Sequence, residues 1–228
     1  MSTANCAVMT AKPKKEIAFM DYNLAEELIS AISHGLGAGL AIAASVLCIV
    51  RAAKTGSAWS VVSCSVFGFT LIMLYSISTI YHSLARNKAK QVFRVIDHCS
   101  VFLLIAGTYT PFVLVSLNGA AGWVLFGIIW GLAALGLVFN AIDVDKYEVI
   151  SAVINVLMGW AIIFMVKPLW HVIGTGGIVF LITGGVAYTV GAILYGIGNK
   201  IRYMHSVFHF FCLAGSICHF FAIFSYVL

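Results

Sequence analysis

The chain has 228 residues, of which 62% are hydrophobic and only 9% are charged, and its formal net charge is +5. A soluble domain carries about 25% charged residues, and a fold of this length cannot bury so much apolar surface, so the composition excludes an ordinary soluble protein and indicates an integral membrane protein. The positive charge does not predict a nucleic-acid partner, because the basic residues cluster in short segments beside apolar runs, as membrane topology requires.

The first 27 residues form the only sizeable polar stretch of the chain. We expect residues 1–27 to be a short cytoplasmic tail. A cleaved secretory signal would have a short apolar region followed by a small-residue cleavage site, whereas the apolar run that begins near residue 28 is long enough to span a bilayer. We therefore expect no cleavage.

Seven apolar runs follow, each near the roughly 20 residues that a helix needs to cross the hydrocarbon core. Their expected bounds are 28–50, 58–83, 96–117, 121–142, 149–167, 173–198 and 205–227. Lys167, Pro168 and the glycines between 174 and 177 are expected to close the fifth run. With no internal repeat or long linker, the sequence predicts an all-α membrane protein whose residues 28–227 form one bundle of seven transmembrane helices.

Basic residues are distributed unequally between the two sets of loops and ends. Ten lie on one side: Lys12, Lys14, Lys15, Arg86, Lys88, Lys90, Arg94, Lys146, Lys200 and Arg202. Three lie on the other: Arg51, Lys54 and Lys167. The positive-inside rule then places the N-terminus in the cytoplasm and the C-terminus in the periplasm or outside, in a multi-pass protein of the cell inner (plasma) membrane. In the first span, Gly35, Gly37 and Gly39 are expected to allow close helix packing.

Ionisable side chains inside membrane spans are costly, and each is therefore a candidate functional residue. Under the predicted topology, several lie near the cytoplasmic ends of helices one, two, three and seven: Glu26, His34, His82, Asp97, His98, His205 and His209. Ser78 and His82 are four residues apart, as are His205 and His209, so each pair shares one helix face. Three imidazoles from two helices match the ligands of an open zinc site, at which a carboxylate such as Asp97 accepts a proton from water.

The remaining histidines have other expected roles. His34 either supports the site from behind or packs between helices. His98 directly follows Asp97 and so points about 100° away from it, which indicates a supporting or packing residue. His219 lies about 15 Å deeper than His209 by helix rise, too far to share a metal, and is expected to line a cavity. Cys212 and Ser216 lie on the same face of helix seven as His219.

Four segments resemble the bacterial hemolysin III proteins, which belong with the progestin and adipoQ receptors, and the likeness covers nearly the whole chain. The segments are EELISAISH at 26–34, STIYH at 78–82, DHCSVFLLIAGTYTP at 97–111 and HSVFH at 205–209. The resemblance implies a seven-helix fold with the N-terminus inside, in which zinc (Zn²⁺) is bound by His82, His205 and His209. It also implies that Asp97 approaches the metal-bound water and that Ser78 supports the site.

Three functions are compatible with these features. The wider superfamily resembles alkaline ceramidases, which implies a zinc-dependent hydrolase of an acyl amide or ester bond, involved in membrane lipid homeostasis, with a lipid or fatty acid in the bundle cavity. The alternative is a receptor-like regulator that senses the state of the membrane and in which zinc is structural. A pore-forming hemolysin is disfavoured, because a toxin must leave its producer in soluble form. No residue pattern predicts an oligomeric state.

Overall fold

The structure is a computed structural model that describes residues 22–198 and 200–228, so residues 1–21 of the predicted tail lie outside the described residues. The described residues contain these α-helices: α1 (Leu24–Lys54), α2 (Ala58–Ser83), α3 (Lys88–Pro111), α4 (Ala120–Asp143), α5 (Glu148–Trp160), α6 (Val166–Gly198) and α7 (Met204–Ala222). Short π-helical turns, Phe112–Ser116 and Ile223–Val227, extend α3 and α7.

Within these residues, six helical stretches are long and apolar enough to cross a membrane. One of them, Glu148–Gly198, contains both α5 and α6 in 51 residues. Large apolar side chains on the outside of the bundle are widely exposed, as expected for a surface that faces lipid: Leu36, Phe69, Ile142 and Phe164 are more than half exposed. The predicted class of all-α integral membrane protein is thereby confirmed.

The first helix begins at Leu24 rather than near residue 28, because a capping box starts it. The Asn23 side chain accepts a hydrogen bond from the Glu26 N–H at 2.9 Å, and the Glu26 carboxylate accepts one from the Asn23 N–H at 2.9 Å. This reciprocal pair satisfies two N–H groups that a helix start leaves unpaired. Glu26 and Glu27, expected at the end of a polar tail, therefore belong to α1.

The third helix also begins earlier than expected, at Lys88 rather than near residue 96. The Asn87 side chain caps it by accepting a hydrogen bond from the Lys90 N–H at 2.9 Å. Lys90 and Arg94, expected in a loop, are consequently helical and almost fully buried. Burial is tolerated because Lys90 lies 2.8 Å from Glu27 and Arg94 lies 2.7 Å from Asp145, so each cation has a carboxylate partner.

The stretch from Glu148 to Gly198 breaks at Gly174 and not at Pro168, where the fifth run was expected to start closing. A 3₁₀ turn, Ala161–Met165, separates α5 from α6. Pro168 lies in the first turn of α6, where its missing N–H has no helical partner to lose. Gly174 has a φ of 64°, a left-handed conformation that glycine adopts without steric cost, and it interrupts the helical backbone.

Polar contacts join the beginning of this stretch to its end. The Tyr195 hydroxyl donates to the Glu148 carboxylate at 2.7 Å. Further along, the Trp160 indole N–H donates to the Thr189 hydroxyl at 2.9 Å. These contacts place the two arms on either side of Gly174 next to each other.

The apolar core is divided into two clusters. Helices α1, α2, α6 and α7 contribute to the first, with Phe67, Tyr75 and Leu169 among its buried side chains. Helices α3, α4 and α5 contribute to the second, which includes Phe102 and Ile129. The helices that carry the predicted site residues thus belong to both clusters, α2 and α7 to the first and α3 to the second.

Close packing through glycine in α1 occurs at one of the three expected positions. A Cβ atom on Gly37 would lie 2.6 Å from the ring of Tyr75 on α2, so only glycine leaves room for that ring. Gly35 would make an ordinary contact with Thr79, and Gly39 has no heavy atom within 4 Å of its Cβ position. The expectation is therefore correct for Gly37 and wrong for Gly39, because the two residues point to different sides of α1.

Candidate metal centre

Three histidines from two helices converge at one end of the bundle. His82 lies near the end of α2, and His205 and His209 lie in the first turns of α7; all three are buried. One ring nitrogen of each lies within 4.8 Å of the others, and the two Nε2 atoms of His205 and His209 are 3.1 Å apart. Nitrogen ligands at 2.0–2.1 Å from a tetrahedral zinc ion are about 3.3 Å apart, so this spacing suits a small metal ion.

The ring of His82 is oriented by a carboxylate from α1. Its Nδ1 atom lies 2.7 Å from Oε2 of Glu27. Because a carboxylate only accepts hydrogen bonds, Nδ1 carries the proton, and in the neutral ring Nε2 keeps its lone pair. Nε2 is buried and has no hydrogen-bond partner among the described residues. A carboxylate on one imidazole nitrogen and a metal on the other is the usual arrangement at metal sites.

A buried cation completes this arrangement. Nζ of Lys90 lies 2.8 Å from the second carboxylate oxygen of Glu27 and donates to the Leu84 carbonyl at 3.0 Å. The side chain of Lys90 is 4% exposed and that of Glu27 is 16% exposed. The ion pair keeps Glu27 ionised and fixes the direction from which it contacts His82.

The roles of Glu27 and Lys90 were not predicted from the sequence. Glu26 was the carboxylate named as a candidate, and nothing in the spacing indicates which of two adjacent carboxylates faces α2. Lys90 was assigned to a loop, where a lysine needs no partner. Only the early start of α3, set by its cap at Asn87, places this ammonium beside Glu27.

Glu26 instead holds the start of α7, the helix that carries two of the three histidines. The Tyr203 N–H donates to the Glu26 carboxylate at 2.5 Å, with Tyr203 in a left-handed conformation (φ 65°) directly before the helix. The Ser206 hydroxyl donates to the Glu26 carbonyl at 3.1 Å and lies 3.2 Å from the Ser30 hydroxyl. These bonds between α1 and α7 determine where His205 enters the site.

Asp97 and Ser78, the residues expected to assist the metal, lie together beside the histidines. Ser78 is buried on α2, near the carboxylate of Asp97 on α3. Both residues line the cavity onto which His205 and His209 also open. The carboxylate of Asp97 is not part of the converging group formed by His82, His205 and His209. Because it lines the cavity instead, its position suits a group that acts on a molecule bound there.

This cavity, with a volume of about 210 Å³, runs through the interior of the bundle and is lined by residues of all seven helices. It extends along α7 from His205 to His219, fourteen residues apart, which corresponds to about 21 Å of helix rise. Leu104, Phe112 and Ile162 are among the apolar side chains of its wall. The cavity is therefore long and largely apolar, with histidines at both ends.

The other predicted histidines lie around this cavity without joining the three-histidine group. The ring of His34 packs on the ring of His209, with centroids 3.8 Å apart, and meets Tyr75 edge-on at 4.9 Å. His98 lines the cavity with its ring centroid 6.1 Å from that of Tyr195. His34 thus restrains a candidate ligand by direct packing, and His98 forms part of the wall near the metal end.

Comparison with known proteins adds an independent observation. The family model described as "Haemolysin-III related" matches residues 22–220. The chain is 41% identical to Hemolysin-3 of Bacillus cereus over 203 residues, which are 89% of this chain and 92% of that protein. It is 42% identical to the Hemolysin-3 homolog of Bacillus subtilis (strain 168) over 205 residues, 90% and 96% of the two chains. A more distant similarity, 24% over 176 residues, 74% and 72% of the two chains, links it to the human (Homo sapiens) monocyte to macrophage differentiation factor.

Proposed function

The chain belongs to the haemolysin-III-related family, and we propose that it is a zinc-dependent hydrolase that cuts an acyl amide or ester bond in a membrane lipid. One observation carries this proposal: Nε2 of His82, buried and without a hydrogen-bond partner among the described residues, lies with the imidazoles of His205 and His209 beside a cavity that Asp97 also lines. A buried polar nitrogen without a partner is costly, and a metal ion removes that cost.

Zinc fits this donor set better than other common ions. Imidazole nitrogen is a preferred ligand of zinc, whereas calcium and magnesium prefer oxygen. The converging group of described residues supplies three ligands, as catalytic zinc sites do, whereas structural sites are usually closed by four. The chemistry that zinc supplies in such a site is Lewis acidity, which lowers the pKa of a water in the open position to about 7.

The chain's own residues supply the remaining functions of a hydrolase. Asp97 accepts a proton from the attacking water and returns it to the leaving group, a role that requires a carboxylate facing the reacting atoms. Ser78, which lines the cavity next to Asp97, supports that carboxylate. Glu27 keeps the proton of His82 on Nδ1, so that Nε2 remains a ligand.

The proposed substrate class follows from the shape of the cavity. Its wall is mainly apolar and its length along α7 is about 21 Å, dimensions that suit an acyl chain. Asp97 and Ser78 line the end of the cavity near His205 and His209, where the bond to be cut would lie. The bound molecule is then a lipid or, after hydrolysis, a fatty acid.

We further propose seven crossings of the cell inner membrane, with the N-terminus in the cytoplasm. The contacts of Tyr195 with Glu148 and of Trp160 with Thr189 support two antiparallel crossings within the single long stretch Glu148–Gly198. A straight helix of 51 residues would be about 76 Å long, far more than the roughly 30 Å of a hydrocarbon core. The unequal distribution of basic residues supports the orientation and places the three histidines near the cytoplasmic face.

Elemental analysis combined with hydrolysis assays tests this proposal. Purified wild-type protein is expected to contain about one zinc ion per chain and to release fatty acid from an N-acyl or ester lipid. His209→Ala should lose zinc and activity, and Asp97→Asn should keep zinc but lose activity by about 10²- to 10⁴-fold. His171→Ala, at an exposed position on α6, is the matched control and should behave as wild type.

Two outcomes would contradict the proposal in different ways. Wild-type protein without zinc, or His209→Ala with zinc, would refute the metal site. Zinc at about one ion per chain with no hydrolysis of any acyl amide or ester lipid would favour the receptor-like regulator, in which the metal joins α2 to α7.

A further inference from the structure

The end of the cavity far from the three histidines contains a second polar cluster, which we name the deep pocket: Tyr75, Tyr188, Ser216 and His219. The Tyr75 hydroxyl donates to the Ser216 hydroxyl at 2.7 Å, and the Tyr188 hydroxyl lies 2.6 Å from the same oxygen. Tyr188 and His219 line the cavity, whereas Tyr75 and Ser216 are buried behind them. Such a cluster in the middle of an apolar bundle is expensive unless it has a function.

The three hydroxyl groups of the deep pocket have one more donor than their mutual bonds use. Three O–H groups supply three protons, and the two bonds between them use two. Ser216 is buried, so its proton is best satisfied by donation to Tyr188, because an unpaired buried donor is costly. The Tyr188 O–H is then the donor left over, at the wall of the cavity.

His219 provides a matching acceptor. Its Nε2 lies 3.2 Å from the carbonyl oxygen of Leu181, which can only accept, so Nε2 carries the proton. In the neutral ring, Nδ1 is then a lone pair, and it is buried without a hydrogen-bond partner among the described residues. The ring centroids of His219 and Tyr188 are 5.5 Å apart, and both residues line the cavity, so the two rings are neighbours in its wall.

The position of the His219 ring depends on a glycine in the facing helix. A Cβ atom on Gly184 of α6 would lie 2.4 Å from Cδ2 of His219, too close for any side chain. The imidazole therefore fills a space that α6 leaves open at this residue. The deep pocket is held by α2, α6 and α7 together.

We propose that the deep pocket binds the hydroxyl group of a hydroxylated acyl chain. A hydroxyl both donates and accepts, which matches the free acceptor on His219 and the free donor on Tyr188. A charged group does not fit, because none of the four residues is charged and an unpaired ion at this depth is strongly disfavoured. The inference rests on the proposed function in one respect, since the polar end of the same lipid lies at the three histidines.

The distance between the three histidines and the deep pocket specifies where the hydroxyl lies on the acyl chain. On α7, Ser216 is seven residues and His219 ten residues beyond His209, which corresponds to about 10–15 Å of helix rise. The ligand is therefore a fatty acid or acyl lipid with a hydroxyl near the middle of its chain, rather than next to the carboxyl group. A chain without that hydroxyl still fits the cavity but leaves both polar groups unpaired.

Binding of two fatty acids that differ only in a mid-chain hydroxyl tests the inference. Ricinoleic acid carries this hydroxyl and oleic acid does not; their affinities are measured by displacement of a fluorescent fatty acid from zinc-loaded protein in detergent. Wild type is expected to bind ricinoleic acid about tenfold more tightly, as satisfying buried groups is worth about 1–1.5 kcal/mol. Tyr188→Phe and His219→Leu should each reduce this preference, because each variant removes one of the two partners of the hydroxyl. Tyr226→Phe, the matched control outside the cavity lining, should keep the tenfold preference.

The zinc content of each variant separates failure to fold from loss of the pocket, because zinc at about one ion per chain requires the assembled bundle. Equal affinity of wild type for the two acids would overturn the inference and indicate that the deep pocket holds water only, while leaving the hydrolase proposal intact. A preference that persists unreduced in both Tyr188→Phe and His219→Leu would also overturn it. Binding of neither acid would refute the lipid cavity itself, and with it both proposals.

Discussion

Nδ1 of His82 lies 2.7 Å from Oε2 of Glu27, and this contact joins a candidate metal ligand on α2 to a carboxylate on α1. The carboxylate is bonded in turn to Lys90 of α3 at 2.8 Å. Three helices are thus connected through one carboxylate, which lies on the opposite side of the imidazole from its candidate ligand atom, Nε2. The proton position on His82, and therefore the availability of its Nε2, depends on this connection.

Replacing Glu27 is expected to weaken zinc binding without removing any ligand. In Glu27→Gln the amide oxygen still accepts from His82 but no longer carries a charge, so the affinity for zinc should fall by about 10- to 100-fold. Competition with a chelator of known affinity measures the change. Glu148→Gln is the matched control, because Glu148 bonds Tyr195 and no histidine ligand. Equal affinities of the two variants would show that the contact with His82 does not tune the metal.

The buried ion pair between Lys90 and Glu27 predicts a non-additive effect on stability. Lys90→Met leaves the carboxylate with one partner fewer in an apolar setting, and should lower the free energy of unfolding by about 1–3 kcal/mol after allowance for the partial exposure of Glu27. In the double variant Glu27→Gln, Lys90→Met the unpaired charge is gone, so part of the loss should be regained. Unfolding in sodium dodecyl sulfate measures all three. Strictly additive losses would argue against a coupled pair.

Two glycines of α1 should respond in opposite ways to the same substitution. In Gly37→Ala the new methyl group overlaps the Tyr75 ring, and we expect a loss of about 1–3 kcal/mol in stability. In Gly39→Ala the methyl group meets no neighbouring atom, and alanine's higher helix propensity should stabilise the protein by up to about 1 kcal/mol. Thermal midpoints in detergent measure the difference. A similar shift in both variants would mean that α1 does not pack on α2 as described.

The number of crossings can be measured with reporters fused to the two ends of the chain. Seven crossings place the ends on opposite sides of the membrane, so a fluorescent protein that matures only in the cytoplasm should be bright at the N-terminus and dark at the C-terminus. An insertion at Gly56, in the turn between α1 and α2, should also be dark, and one at Asn87, between α2 and α3, bright. Both ends bright would indicate six crossings and an unbroken path through 148–198.

Much of the helical architecture follows from composition and spacing. The predicted run 58–83 coincides with α2, and the run 121–142 lies within one residue of α4 at each end, because apolar length alone determines a membrane-spanning helix. The starts of α1 and α3 were placed too late, since capping by Asn23 and Asn87 extends these helices into polar sequence. A hydrophobicity pattern does not detect such extensions, because the added residues are polar.

The candidate site, like the helical architecture, was predictable from the sequence only in part. The four-residue spacing of His205 and His209, together with the resemblance, indicated which histidines would converge, and the structure brings them together with His82. The roles of Glu27 and Lys90 were not predicted, and neither were the hydrogen bonds of the deep pocket. Each depends on contacts between residues that are far apart in the chain.

The sequence by itself determined that this protein lies in a membrane as a helical bundle, and that histidines of its apolar runs are candidates for a site, because lipid excludes polar groups and leaves few alternatives. Only the tertiary structure decided which of two adjacent glutamates contacts His82 and that the two arms of Glu148–Gly198 lie next to each other on either side of Gly174. It also decided that Nδ1 of His219 has no hydrogen-bond partner among the described residues. These features depend on distances between helices. Such distances are set by how side chains of different helices pack together, which the spacing of residues along a single helix does not reveal.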